Sequence, residues 1–338
     1  MYIIHNINNN MDNFESICSI GEEIIGKDSL MNLLQHKQNI IAYDGFEPSG
    51  RMHIAQGLLR AHNVNKLTKA GIKFKFYVAD FFAQMNLKLG GDLKKIKQAG
   101  EQMIKIWKAC GMDMDNVEFI WASEEIVKRS AEYWTLVLDI ATKFNLTRVL
   151  KCTQIMGREE SDDLSASQIF YPIMQVADIF FLNVDICSLG TDQRKVNMLA
   201  LEYCDKIKRK NKPIIISHPM LLGLDGTKMS KSNPDNAIFM DDNPNEIKRK
   251  INKAFCEPMN IEKNPILEWS KHIIFPIVGY FIIPANAKFN ELEKKINSYQ
   301  ELENDFKEGK IYPNQLKAGM ITHLLNLLVP IQDKLKTQ

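Results

Sequence analysis

Short apolar runs alternate with helical patterns over the first two thirds of this 338-residue chain. Residues 39–43 (Asn-Ile-Ile-Ala-Tyr) form an apolar run that stops at Asp44-Gly45, the pattern of a buried strand. Residues 73–78 and 117–122 read as further strands, and 184–187 and 213–216 supply two more. Helical periodicity fills 53–69, 93–109 and 131–144. Strands separated by helices need crossover connections, so the predicted fold is α/β, a Rossmann-like parallel sheet with crossover helices. Ligands of such sheets bind beyond the carboxyl ends of the strands. That places Tyr43, Asp80 and the Leu189-Gly190-Thr191-Asp192 turn at the expected crevice.

The pattern changes further on. Asp242-Asn243-Pro244 is a helix start, and Pro313 suits the first turn of an amphipathic helix over 313–335. From residue 261 onward only helices are expected. The predicted organisation is therefore a flexible Asn-rich leader over 1–25, a catalytic α/β domain over 26–235, and an all-helical domain over 236–338. Met11 is a second candidate start within the leader.

Composition excludes more than it proposes. Lys and Arg total 43 against 41 Asp and Glu. A net charge of +2 gives no argument for nucleic acid, so an RNA partner must be read from local patches at 206–212 and 248–250. The six cysteines lack metal-type spacing and read as small buried hydrophobes of a reducing compartment. No run of about 18 apolar residues occurs, so no membrane span is expected.

Two segments carry nucleotide chemistry. Gly50-Arg51-Met52-His53-Ile54-Ala55-Gln56-Gly57 turns a strand end into a helix start. Helix amino termini favour phosphate, and His53 can donate to a phosphoryl oxygen. Lys228-Met229-Ser230-Lys231-Ser232 follows Gly223-Leu224-Asp225-Gly226-Thr227. Two ammonium groups on such a loop can stabilise charge that develops on a pyrophosphate leaving group. A third segment, residues 167–182, is apolar at most positions and is interrupted by Tyr171, Gln175 and Asp178. At i, i+4 and i+7 these three share one face of a helix. A buried carboxylate there needs partners; a polar surface stripe is the alternative reading.

The Lys228–Ser232 spelling resembles the second ATP signature of class I aminoacyl-tRNA synthetases. His53-Ile54 resembles the start of the first, His-Ile-Gly-His, with Ala55 and Gln56 replacing the last two residues. Tyr43-Asp44-Gly45-Phe46-Glu47-Pro48-Ser49-Gly50, Tyr171-Pro172-Ile173-Met174-Gln175 with Asp178, and Asp192-Gln193-Arg194-Lys195 resemble the tyrosyl-tRNA synthetases of archaeal and eukaryotic type. The resemblance implies a homodimeric cytoplasmic ligase that joins L-tyrosine to tRNA(Tyr), using ATP with Mg2+. It implies catalytic roles for His53, Gln56, Lys228 and Lys231. Tyr43 and Asp178 would hold the substrate phenol, with Tyr171, Gln175 and Gln193 around its ammonium. Gly50, His53, Ala55, Gln56, Asp192 and residues 228–232 would hold ATP. Arg194 and Gln315 would face tRNA. The family usually has Asp where Gln315 stands, and an amide cannot copy that bidentate acceptor. A tryptophanyl synthetase, a nucleotidylyltransferase and a non-catalytic RNA-binding relative are the competing readings.

Overall fold

The computed structural model describes residues 11–157, 163–227, 229, 233–285 and 292–337. They fall into two compact units. One comprises Met1–Gly50, Asn63–Met103 and Asp113–Pro219; the other comprises Arg51–His62, Ile104–Met112 and Met220–Gln338.

The first unit is built on a six-stranded sheet. Its strands are β1 (Glu23–Ile25), β2 (Ile41–Phe46), β3 (Lys73–Val78), β4 (Val117–Trp121), β5 (Ile186–Gly190) and β6 (Ile214–His218), in the spatial order β1-β6-β5-β2-β3-β4. All pairings are parallel except β1 with β6. Phe74, Phe76, Tyr77 and Val78 of β3 are all buried, as expected of a strand covered on both faces. Strand order reverses between β5 and β2, which makes their carboxyl ends the switch point where such folds bind ligands.

Two boundaries move the expected site. β2 runs on to Phe46, so Tyr43 lies within the strand rather than at its end. β5 starts at Ile186, two residues later than its apolar run, and ends at Gly190, against the Thr191–Gln193 turn. Residues 11–25 of the expected leader are folded. Residues 11–18 are helical, Ile17 and Ile20 are buried, and Glu23–Ile25 forms the antiparallel edge. Three residues are too few for a strand periodicity to register, which is why β1 escaped notice. Residues 1–10 lie outside the described residues.

The second unit is mainly helical. Asn243 caps the Pro244–Lys253 helix by accepting from Asn245 N and Glu246 N, both at 3.0 Å. The long helix Pro313–Lys336 buries Leu316, Met320, Leu324 and Leu328, one residue per turn. The expectation of helices alone from residue 261 onward is corrected by a small antiparallel ribbon, β7 (Phe281–Ile283) with β8 (Lys294–Ile296). It is held by tertiary contact. Phe281 is fully buried against Gly319 of the long helix, and Ile282 N donates to His323 Nε2 at 2.8 Å.

Candidate active site

The helix Ala166–Phe181 supplies the polar stripe. Its start is fixed by a capping box: Ser165 N donates to Gln168 Oε1 at 3.0 Å. Tyr171, Gln175 and Asp178 are exposed by only 7%, 7% and 1%, so the surface reading of the stripe does not hold. Each is buried and polar, and each has a distinct environment.

Asp178 lies deepest. Tyr133 Oη, from the helix Ser130–Lys143, donates to Asp178 Oδ1 at 2.8 Å. Tyr77 Oη of β3 approaches the carboxylate closely enough to stabilise its charge, yet meets hydrogen-bond geometry with no group. Tyr43 of β2 is fully buried, and burial with the nearby Asp178 charge pushes its phenol well above the usual range. It therefore stays protonated and able to donate. Burial likewise drives the Asp178 carboxyl well above its ordinary range, and the Tyr133 and Tyr77 hydroxyls oppose that rise.

Gly45 explains how Tyr43 fits. Residues 43 and 45 share one face of β2, and a Cβ at 45 would sit 2.8 Å from the Tyr43 hydroxyl. In the sheet Gly45 pairs with Tyr77. The missing side chain leaves room for two phenols side by side, with ring centroids 6.4 Å apart.

Gln175 and Gln193 form an oriented amide pair. Gln193 Nε2 donates to Ile155 O at 3.0 Å, which turns Gln193 Oε1 toward Gln175 Nε2, also at 3.0 Å. Gln175 Oε1 is left buried and unpaired, an acceptor suited to a cationic donor. Beside it Tyr171 Oη donates to Glu47 Oε1 at 2.8 Å, and Asn86 Nδ2 donates to Glu47 Oε1 at 3.0 Å. Asp192 is exposed in the turn after β5. Asp80 does not join this group. Its carboxylate accepts from Ser123 N at 2.8 Å and Ser123 Oγ at 2.6 Å, tying the segments after β3 and β4 together.

From Arg51 on, the first nucleotide signature lies in the other unit, stitched to residues 238–242. His53 forms an antiparallel bridge with Phe239. Ile54 N donates to Ile238 O at 3.0 Å, and Met240 N to Met52 O at 2.8 Å. Arg51 adds hydrogen bonds to Asp241 and Asp242, the shortest at 2.7 Å and 2.8 Å. The expected helix start opens as a π-helical turn over Ala55–Leu59 before the α-helix Arg60–Lys69. Its first amides are partly consumed, since Gln56 N faces His53 Nδ1 at 3.4 Å. Gln56 Oε1 is buried and unpaired. A Cβ at Gly57 would lie 2.5 Å from Met240 Sδ, so the absence of a side chain there serves packing. Gly50 takes a φ of +50°, a glycine conformation.

The second signature has a clamped neck. Leu224 N donates to Asn236 O at 3.0 Å, Asp225 N to Asn236 Oδ1 at 3.2 Å, and Gly223 N to Thr227 O at 2.7 Å. Lys228, Ser230, Lys231 and Ser232 lie outside the described residues. The two residues expected to face tRNA have protein partners. Arg194 pairs with Glu23 at 2.7 Å, and Gln315 Oε1 accepts from Tyr312 N at 2.8 Å.

Sequence reasoning missed Tyr77, Tyr133, Glu47 and Asn86 as site residues. Of these only Glu47 had a signal in the sequence, its place in the 43–50 motif.

The family described as tRNA synthetases class I (W and Y) matches residues 35–328. Tyrosine–tRNA ligase 1, cytoplasmic, of Arabidopsis thaliana is 54% identical over 96% of this chain and 84% of its own length. Tyrosyl-tRNA synthetase of Leishmania major, solved with tyrosinol, aligns with a TM-score of 0.89 and 44% identity, over 96% of this chain and 50% of that one. The Archaeoglobus fulgidus enzyme, solved with L-tyrosine, gives a TM-score of 0.88 and 33% identity over 96% and 99%. Together with the buried polar stripe and the two nucleotide signatures, these likenesses assign the chain to the tyrosine–tRNA ligases, within the class I tRNA synthetases.

Proposed function

We infer that this chain activates L-tyrosine with ATP and transfers the tyrosyl group to tRNA(Tyr), and that Asp178 and Tyr43 select the substrate phenol. The observation that carries the reading is a buried phenol acceptor and a buried ammonium acceptor in one unit. Asp178 offers a carboxylate among tyrosine hydroxyls, and Gln175 offers an unpaired carbonyl oxygen. Tyr171 and Gln193 hold the ammonium end in place. Phenylalanine would leave the buried Asp178 group without its partner, which costs more than the lost contact itself.

The tyrosine carboxylate attacks the α-phosphorus of ATP, and pyrophosphate leaves. No side chain need act as nucleophile, because positioning and charge stabilisation suffice. His53 and Gln56 donate to phosphoryl oxygens, while Lys228 and Lys231 bear on the departing pyrophosphate. Gly50, Ala55, Asp192, Met229, Ser230 and Ser232 complete the ATP contacts. Mg2+ enters with ATP as part of the substrate complex.

The proposed division of labour gives catalysis to residues 26–235 and anticodon reading to 236–338; the two compact units divide the chain differently, with 51–62, 104–112 and 220–235 in the second. Arg194 and Gln315 would serve tRNA only by exchanging the protein partners they now hold. A homodimer is supported by an apolar stripe on Ser130–Lys143, where Trp134 and Leu138 are 43% and 60% exposed. The site of action is the cytoplasm, as in the names of the plant relatives.

The test is ATP–pyrophosphate exchange with each of the twenty amino acids, followed by charging of a tRNA(Tyr) transcript. Exchange with tyrosine alone supports the reading. Exchange with tryptophan at equal efficiency would overturn it.

A further inference from the structure

A buried phenylalanine at position 133 would fill the same space as the tyrosine found there without burying a hydroxyl. Tyr133 is fully buried, with its ring edge-on to Phe181 at 4.9 Å. Burying a hydroxyl is unfavourable unless it gains a partner. Its Oη lies 3.3 Å from Met174 O and 2.8 Å from Asp178 Oδ1. A phenol has one proton to give, and the shorter contact to the carboxylate is the one that takes it.

Asp178 and Tyr133 come from different helices. A hydrogen bond between them fixes the rotation of the carboxyl group, which a single helix cannot do alone. With Oδ1 occupied, Oδ2 is left for other donors. Tyr77 Oη, from β3, lies near the same carboxylate without meeting full hydrogen-bond geometry.

We infer that Tyr133, with Tyr77 in support, is a positioning residue for tyrosine selection. By holding Asp178 Oδ1 it sets the plane of the carboxylate and favours its charged form, so that the other oxygen accepts the substrate phenol. Neither Oδ1 nor Tyr133 need touch the substrate. The inference rests on Asp178 being the phenol acceptor.

Charge around the group supports this. The groups facing Asp178 are Tyr43 from β2, Tyr77 from β3, Tyr133 from the neighbouring helix and Tyr171 from its own helix. None is cationic. Burial raises the Asp178 carboxyl, and hydroxyl donors oppose the rise. Removing one donor therefore moves the carboxyl to still higher pH.

Tyr133→Phe tests the inference in ATP–pyrophosphate exchange by the full chain. The expected result is a tyrosine KM raised about tenfold, the scale of one hydrogen bond to a charged group. The KM for ATP and kcat stay unchanged, preference for tyrosine over phenylalanine falls by the same factor, and the acid limb of kcat/KM moves to higher pH. In an Asp178→Asn background the added Tyr133→Phe change has no further effect on preference. If Tyr133→Phe melts below the assay temperature, Tyr77→Phe carries the test, with a smaller shift in the same direction.

An unchanged tyrosine KM and acid limb, beside lost preference in Asp178→Asn, overturns the inference and leaves the phenol site standing. Equal losses toward tyrosine and ATP also overturn it, because a merely structural role would produce them. Full preference retained in Asp178→Asn would remove the phenol site itself.

Discussion

Gly45 is the residue whose substitution separates packing from recognition most cleanly. Its hydrogen faces the Tyr43 hydroxyl, and a methyl there would lie 2.8 Å from it. Gly45→Ala should push the phenol aside at a cost of about 1–3 kcal/mol, the usual scale of overpacking. The expected reading is a tyrosine KM raised roughly tenfold with the KM for ATP unchanged, measured by pyrophosphate exchange. The same residue shows what a sequence can disclose. Tyr171, Gln175 and Asp178 were legible because helical spacing puts them on one face of an apolar segment. Tyr77 and Tyr133 were not, because their nearness to Asp178 depends on sheet register and on the packing of two helices 45 residues apart in sequence at that contact. Gln315 shows the opposite case. Its amide was read as a poor copy of the family's bidentate Asp, and the structure gives its oxygen a local task as the acceptor for Tyr312 N.

At the scale of elements, the β7–β8 ribbon depends on a histidine. His323 Nε2 must be unprotonated to accept from Ile282 N, and burial holds the His323 pKa below its ordinary value of 6.5. His272 in the same unit is lowered to about 4 by burial, with a smaller effect from Lys271. In both cases the unfolded chain binds a proton more readily than the folded one. Stability is therefore full above about pH 7, and it falls as the pH drops below 6.5 toward the folded values. Thermal melts should show a lower Tm at pH 5 than at pH 7.5. His323→Gln keeps an acceptor without titrating, so it should flatten part of that slope. An unchanged slope in this variant would mean that the ribbon contact contributes nothing to it. The five parallel strands of the sheet were readable because buried parallel strands are largely apolar, whereas the three-residue β1 was not. The ribbon was not readable, since its three-residue strands are stabilised by a distant helix and not by their own pattern.

For the whole molecule, the likeness to tyrosine–tRNA ligases spans 96% of the chain, and its predictions concern assembly and selection. Trp134 and Leu138 expose apolar surface on the helix that also carries Tyr133. For the proposed dimer, the wild type is expected to sediment as a dimer and Trp134→Glu as a monomer at micromolar concentration, through the cost of burying an unpaired charge. A wild-type chain that sediments as a monomer at all concentrations would remove the dimer from the account. Selection itself is proposed to rest on Asp178 and Tyr43, which choose the amino acid by its phenol. Comparing pyrophosphate exchange with tyrosine and phenylalanine, for the wild type and for Asp178→Asn, tests it most directly. The preference for tyrosine in kcat/KM is expected to fall in the variant by about 1.5–3 kcal/mol, roughly ten- to a hundredfold, the worth of a hydrogen bond to a charged group. An Asp178→Asn enzyme that folds, exchanges with tyrosine and keeps the wild-type preference would contradict it.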